Sequence, residues 1–100
     1  MNDLKQHGID VELDPEVAKG HYSNLAIISH STSEFIIDFA SLLPGMPKAA
    51  VNSRIILTPE HAKRLLLSLQ DNVARYETNI GRIELQQPQN HIAFKNHGEA

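Results

Sequence analysis

One stretch of this chain leaves the rest few options. Residues 58–81, TPEHAKRLLLSLQDNVARYETNIG, carry a full set of helix signals. Thr58 suits the N-cap, because its hydroxyl oxygen can accept a bond from a free N–H of the first turn. Pro59 takes the first helical position, where its missing N–H costs nothing. Glu60 places negative charge at the positive end of the helix dipole. Ala62, Leu65, Leu66, Leu69, Val73 and Tyr76 recur at spacings of three and four and form one apolar stripe. Lys63, Arg64, Gln70, Asp71, Arg75 and Glu77 fall largely away from it. Gly81 can adopt the left-handed C′ conformation that ends such a helix. A helix with one apolar face needs a surface to lie on, so the rest of the chain is expected to provide it.

Upstream the pattern changes from period 3.6 to period 2. Ile9, Val11 and Leu13 alternate with Asp10, Glu12 and Asp14, which predicts a short half-buried strand. Asp14-Pro15 stops it, and a single helical turn over residues 16–20 can follow, with Asp14 as its cap. Residues 22–30, YSNLAIISH, and residues 34–42, EFIIDFASL, predict two strands joined by the turn Ser31-Thr32-Ser33. A hairpin over that turn places Ile28 opposite Ile37, Ala26 opposite Phe39 and His30 opposite Phe35, all on one face. Leu25, Ile27, Ile36, Asp38 and Ala40 then share the other. Pro44, Gly45 and Pro47 break the pattern. A further strand over residues 48–57, paired back, brings Val51 near Phe39 and Ile55 near Phe35, with Asn52 and Arg54 on the face of Asp38.

The expected fold is α+β: a small antiparallel β-meander of about four strands followed by one long C-terminal α-helix. Residues 1–8 are expected to be a flexible N-terminal arm, 9–85 a single domain, and 86–100, rich in Gln and Asn, a disordered tail.

One helix covers one face of a sheet, yet both faces carry large apolar side chains. Phe35, Ile37, Phe39 and Ile55 lie on one side; Leu25, Ile27, Ile36 and Ile56 lie on the other. Leaving four of them wet forgoes roughly 6–12 kcal/mol, at ~1.5–3 kcal/mol each. A small domain has only several kcal/mol of net stability. A homo-oligomer, most simply a two-fold dimer, is therefore expected, with Leu25, Ile27, Ile36 and Ile56 as its core or oligomer face. The competing arrangement folds the N-terminal strand or the tail over that face.

By these strands the residues resemble a known family. YSNLAIISHSTSEFIIDF and SRIILTPEHAKRLLLSLQDNVARYE closely resemble the bacterial and archaeal family catalogued as domain of unknown function 3467, across about residues 9–85. The matching features are Tyr22-Ser23-Asn24, Glu34-Phe35 with Asp38-Phe39, Pro44-Gly45, and Arg54 through Thr58-Pro59. The resemblance implies no catalytic or ligand residue, because the family has no assigned function.

The residues themselves offer few chemical candidates. Asp38 stands between Ile37 and Phe39, where a charge must be paired or exposed, and Arg54 is its expected partner in a structural ion pair. Six histidines are present, but none pair at the helical i, i+4 spacing of a metal site. Ser31 and Ser33 belong to a turn rather than to a nucleophile with a base. No Gly-rich phosphate loop occurs, and with no cysteine there is neither a disulfide framework nor thiol catalysis. No cofactor, metal or catalytic set is expected.

The net charge of −3 gives no general pull toward nucleic acid or anionic lipid. No apolar run reaches membrane-span length and the N-terminus lacks a signal-peptide core, so a cytoplasmic protein is expected. The function that fits is a non-catalytic interaction or structural module. The alternative is weak nucleic-acid binding by a basic patch of Lys48, Arg54, Lys63, Arg64 and Arg75 on an oligomer.

Overall fold

A computed structural model describes residues 3–6, by their backbone, and residues 8–86 of the chain. In chain order the elements are β1 (Asp3–Gln6), β2 (Ile9–Glu12), α1 (Pro15–Ala18), β3 (Leu25–His30), β4 (Phe35–Ser41), β5 (Ala50–Leu57) and α2 (Pro59–Asn79). This is an α+β fold, an antiparallel sheet followed by one long helix. The tail expected to be disordered, from residue 87 on, lies outside the described residues.

The sheet itself is three-stranded, in the order β3-β4-β5. The predicted N-terminal strand exists but does not join it. β2 pairs antiparallel with β1 in a separate hairpin, Leu4 opposite Val11 and Gln6 opposite Ile9. Residues 3–6, read from their polarity as part of a free arm, are instead a strand. An edge strand needs only a backbone partner, which sequence polarity does not reveal. α1 is a single turn capped as expected, with Glu16 N–H donating to Asp14 Oδ1 at 2.8 Å.

β3 and β4 pair in the predicted register: Ile28 opposite Ile37, Ala26 opposite Phe39, His30 opposite Phe35. The turn is closed by Ser31 N–H to the Glu34 carbonyl, 2.9 Å, and by Ser33 N–H to Ser31 Oγ, 3.2 Å. The His30 and Phe35 rings stack at 5.3 Å across the strand pair beside it. Between β4 and β5, Pro44 and Gly45 form the corner of a turn closed by Met46 N–H to the Leu43 carbonyl. Gly45 has φ +82°, the left-handed conformation that the third position of a type II turn requires.

The β4–β5 register differs from the predicted one. Phe35 faces Leu57 and Ile37 faces Ile55, so Ile55 sits two residues further along β4 than expected, on the same face. A bulge then falls between Phe39, opposite Ser53, and Ala40, opposite Val51, leaving Asn52 as the extra residue. An inserted residue flips every side chain before it to the other face. Val51 therefore shares the face of Asp38 rather than that of Phe39.

α2 begins as its sequence predicts: Thr58 Oγ1 accepts from His61 N–H at 3.1 Å, and Pro59 opens the first turn. Its 21 residues run for about 31 Å. It ends differently. Gly81 has no positive φ; Ile80 N–H and Gly81 N–H both donate to the Tyr76 carbonyl, and Glu77 Oε2 accepts from Ile83 N–H at 3.0 Å. A side-chain acceptor here replaces the left-handed glycine.

Packing is sparse. Among the described residues only Ile37, 8% exposed, and Ala40, 0%, are buried apolar side chains. No residue of α2 is buried, and the one substantial backbone contact of the helix with another element, among the described residues, is at its junction with β5. Among the described residues, the surface expected to cover this stripe is not present.

Candidate interaction surface

The two faces of the sheet differ in chemistry. On one, β4 presents Phe35, Ile37 and Phe39, flanked by Ala26, Ile28 and His30 of β3 and by Ser53, Ile55 and Leu57 of β5. On the other, β4 presents Ile36, Asp38 and Ala40 between Leu25 and Ile27 of β3 and Val51, Arg54 and Ile56 of β5. The four apolar residues named from sequence as a core or oligomer face, Leu25, Ile27, Ile36 and Ile56, thus lie together on this second face. Leu25 and Ile36 are half-buried, while Ile27 and Ile56 are exposed.

Asp38 and Arg54 are directly opposite on adjacent strands, in the middle of that apolar face. Arg54 donates twice to the carboxylate, Nε to Oδ1 at 2.7 Å and Nη2 to Oδ2 at 2.9 Å. The paired donors match the geometry of a carboxylate, which a lysine at this position could not do. The hydrogen bonds from Arg54 hold the Asp38 carboxyl below its usual range, against the opposing effect of partial burial. The same contact raises the Arg54 guanidinium further. Asp38 is the sheltered member, with its side chain 15% exposed against 61% for Arg54.

Asn52, expected on this face, is not there. The bulge turns it to the other side, where its amide donates to the Tyr22 carbonyl at 3.0 Å and to Ser41 Oγ at 3.3 Å. It belongs to a polar clasp at the sheet end that the sequence reading missed. Ser23 Oγ contacts the Leu25 and Ala40 carbonyls, both at 3.0 Å. The Asn24 side chain acts as a strand partner for Leu42, accepting from its N–H at 2.8 Å and donating to its carbonyl at 3.0 Å. Ser41 Oγ donates to the Tyr22 carbonyl. Residues 22–24 were predicted as the start of β3; Asn24 N–H still donates to the Ala40 carbonyl at 3.1 Å, while the Ser23 and Asn24 side chains and the Tyr22 carbonyl supply the other bonds. The signal was a run of three polar-tipped residues opening an otherwise apolar strand. Beside the clasp, His21, Ser23, Phe39, Asn52, Ser53 and Ile55 line an open groove of about 420 Å³.

The cations offered as a basic patch are mostly engaged. Arg54 is on Asp38, Arg64 meets Glu60 at 2.6 Å and Arg75 meets Asp71 at 3.0 Å. Among the described residues no cluster of three or more His, Cys, Asp or Glu is placed to hold a metal ion. No described helix is long and apolar enough to cross a membrane.

Compared with known proteins, the chain matches over residues 1–85 the family described as Protein of unknown function (DUF3467). It belongs to that family. The match spans every element from β1 to α2, including the clasp, the Asp38–Arg54 pair and the capped helix start. No curated protein and no solved structure matches it.

Proposed function

We propose that this DUF3467 member is a non-catalytic cytoplasmic module that works as a homo-oligomer, most simply a two-fold dimer. The observation that carries this reading is the mismatch between apolar surface and cover. Twenty large apolar side chains among the described residues are exposed, and only two apolar residues are buried. A monomer rarely leaves contiguous apolar patches beyond a few hundred Å² uncovered. Folding must offset backbone ordering of about 1–2 kcal/mol per residue, and two buried side chains do not approach that. A second copy supplies the missing burial to both chains at once. Of the two alternative covers, the N-terminal hairpin makes no substantial backbone contact with another element among the described residues, and the tail lies outside them. The sheet face of Leu25, Ile27, Ile36 and Ile56, with the Asp38–Arg54 pair at its middle, is a second apolar surface open to such a copy.

Multi-angle light scattering on the purified chain tests this directly. A mass of two or more chains at tens of micromolar, with a melting temperature that rises with protein concentration, is the expected result. A folded, strictly monomeric species at that concentration would end the proposal.

A further inference from the structure

The charges of α2 divide into two sets. On its outer side they are satisfied within the helix: Glu60 pairs with Arg64 and Asp71 with Arg75, each four residues apart. Lys63 and Glu77 are different. Neither forms an ion pair among the described residues. Both border the apolar stripe.

Of the stripe, Ala62, Leu66, Leu69, Val73 and Tyr76, continued by Ile80 at the C-cap, are alternately four and three residues apart. That is the spacing of a seam that packs knobs into holes against another helix. Lys63, Gln70 and Glu77 follow this seam at intervals of seven along one flank, with Gln70 midway between the two charges. The arrangement is complementary to itself when reversed. If a second identical helix runs antiparallel, Lys63 of each meets Glu77 of the other and Gln70 meets its own copy. The seam then matches small against large: Ala62 faces Ile80, Leu66 faces Tyr76 and Leu69 faces Val73. A parallel pairing brings no opposite charges together, since this flank then faces Leu65, Asn72 and Asn79 of the other helix.

We propose that α2 is the dimerisation element, lying antiparallel on α2 of a second copy, with the two-fold axis passing between Leu69 and Val73 and two Lys63–Glu77 pairs closing the seam. This rests on the homo-oligomeric reading and specifies its contact. It accounts for the outer charges being paired within the helix while Lys63 and Glu77 form no ion pair among the described residues, and for the exposure of the stripe there.

Charge exchange tests it. In sedimentation equilibrium on the full chain, K63E and E77K should each weaken association about ten-fold, because each replaces two attractive contacts per dimer with two repulsive ones. The double variant K63E/E77K should return to within about three-fold of the parent, because the pairs re-form with reversed sign. Glu77 also accepts a bond from Ile83 N–H, so the double variant separates that local loss from the contact between copies. Since the chain has no cysteine, Gln70→Cys treated with a short bis-maleimide should give covalent dimers, and Glu60→Cys should not. A dimer whose association ignores the single reversals, a double variant no better than the singles, or cross-linking at both positions overturns the antiparallel seam while leaving the oligomer intact. A monomeric parent chain overturns both.

Discussion

The polar end of the sheet and the apolar face of α2 solve the same problem in opposite ways. At the sheet end, Ser23, Asn24, Ser41 and Asn52 tie the segment before β3 to β4 and β5 with directional bonds, all within one chain. Along α2, the apolar side chains of the stripe stay largely exposed among the described residues, although the helix is complete as a backbone element and well capped at its start. Directional bonds specify register and can be satisfied locally, because each needs one partner in one place. Apolar surface is not directional and is satisfied only by area. The described part of this chain places its directional bonds inside itself and leaves much of its apolar area exposed.

The contrast predicts which substitutions are felt only in the assembly. For a lone chain, Leu69→Glu is a change at an exposed helix position and should alter stability by no more than about 0.5 kcal/mol. Between two copies it places carboxylates in an apolar seam. Association should weaken by at least about 100-fold, read by sedimentation velocity, with the melting temperature losing its dependence on concentration. An oligomer that survives Leu69→Glu would move the contact away from α2. The clasp should behave in the reverse manner. Asn24→Ala removes both bonds to Leu42 and should cost about 1–3 kcal/mol in urea unfolding, because backbone groups lose a partner. Its effect on the association constant should be small, since those bonds lie within one chain.

What the sequence made legible follows the same division. The helix, its Thr58 cap and the β3–β4 register could be read because each rests on residues close in sequence: Thr58 with His61, and Ile28 with Ile37 across a short turn. The Asp38–Arg54 pair could be read because a charge inside an apolar strand must find a partner across the ladder. The β4–β5 register could not, because the turn through Pro44 and Gly45 is long enough to allow several alignments and the bulge at Asn52 leaves no mark in the alternation. The clasp was hidden for a related reason. Tyr22, Ser23 and Asn24 are compatible with a strand, and only the three-dimensional path shows that the Ser23 and Asn24 side chains and the Tyr22 carbonyl make the clasp. What covers α2 was not legible, because amphipathicity states that a face will be buried, not which surface buries it.

Thr58→Ala sharpens the comparison at the junction of the two regions. Losing the bond from His61 N–H should cost about 1 kcal/mol in chemical denaturation, within the range of about 0.5–2 for such caps. If α2 is held mainly by a second copy, the loss should be largest in dilute protein and shrink as concentration rises, because association then restores the helix.

Asp38→Asn should have the smallest effect, and its pH dependence carries the information. Arg54 holds the folded-state pKa of Asp38 below its usual value. The folded state therefore binds the proton less readily than the unfolded chain does. The pair contributes stability above the ordinary carboxylate pKa of about 3.9, and that contribution is lost as pH falls through the folded value. The parent should exceed Asp38→Asn in urea midpoint at neutral pH, by less than the Asn24→Ala difference, and the two should converge in acid. Arg54 stays charged throughout, so the convergence reports the carboxylate alone. An exposed pair of this kind contributes little, and a contribution independent of protein concentration would mean that the face around it stays open to water. A difference between the two proteins that grows with concentration would instead place Ile36, Ile56 and the ion pair between them under a second copy, and would make the sheet face, along with α2, part of the contact.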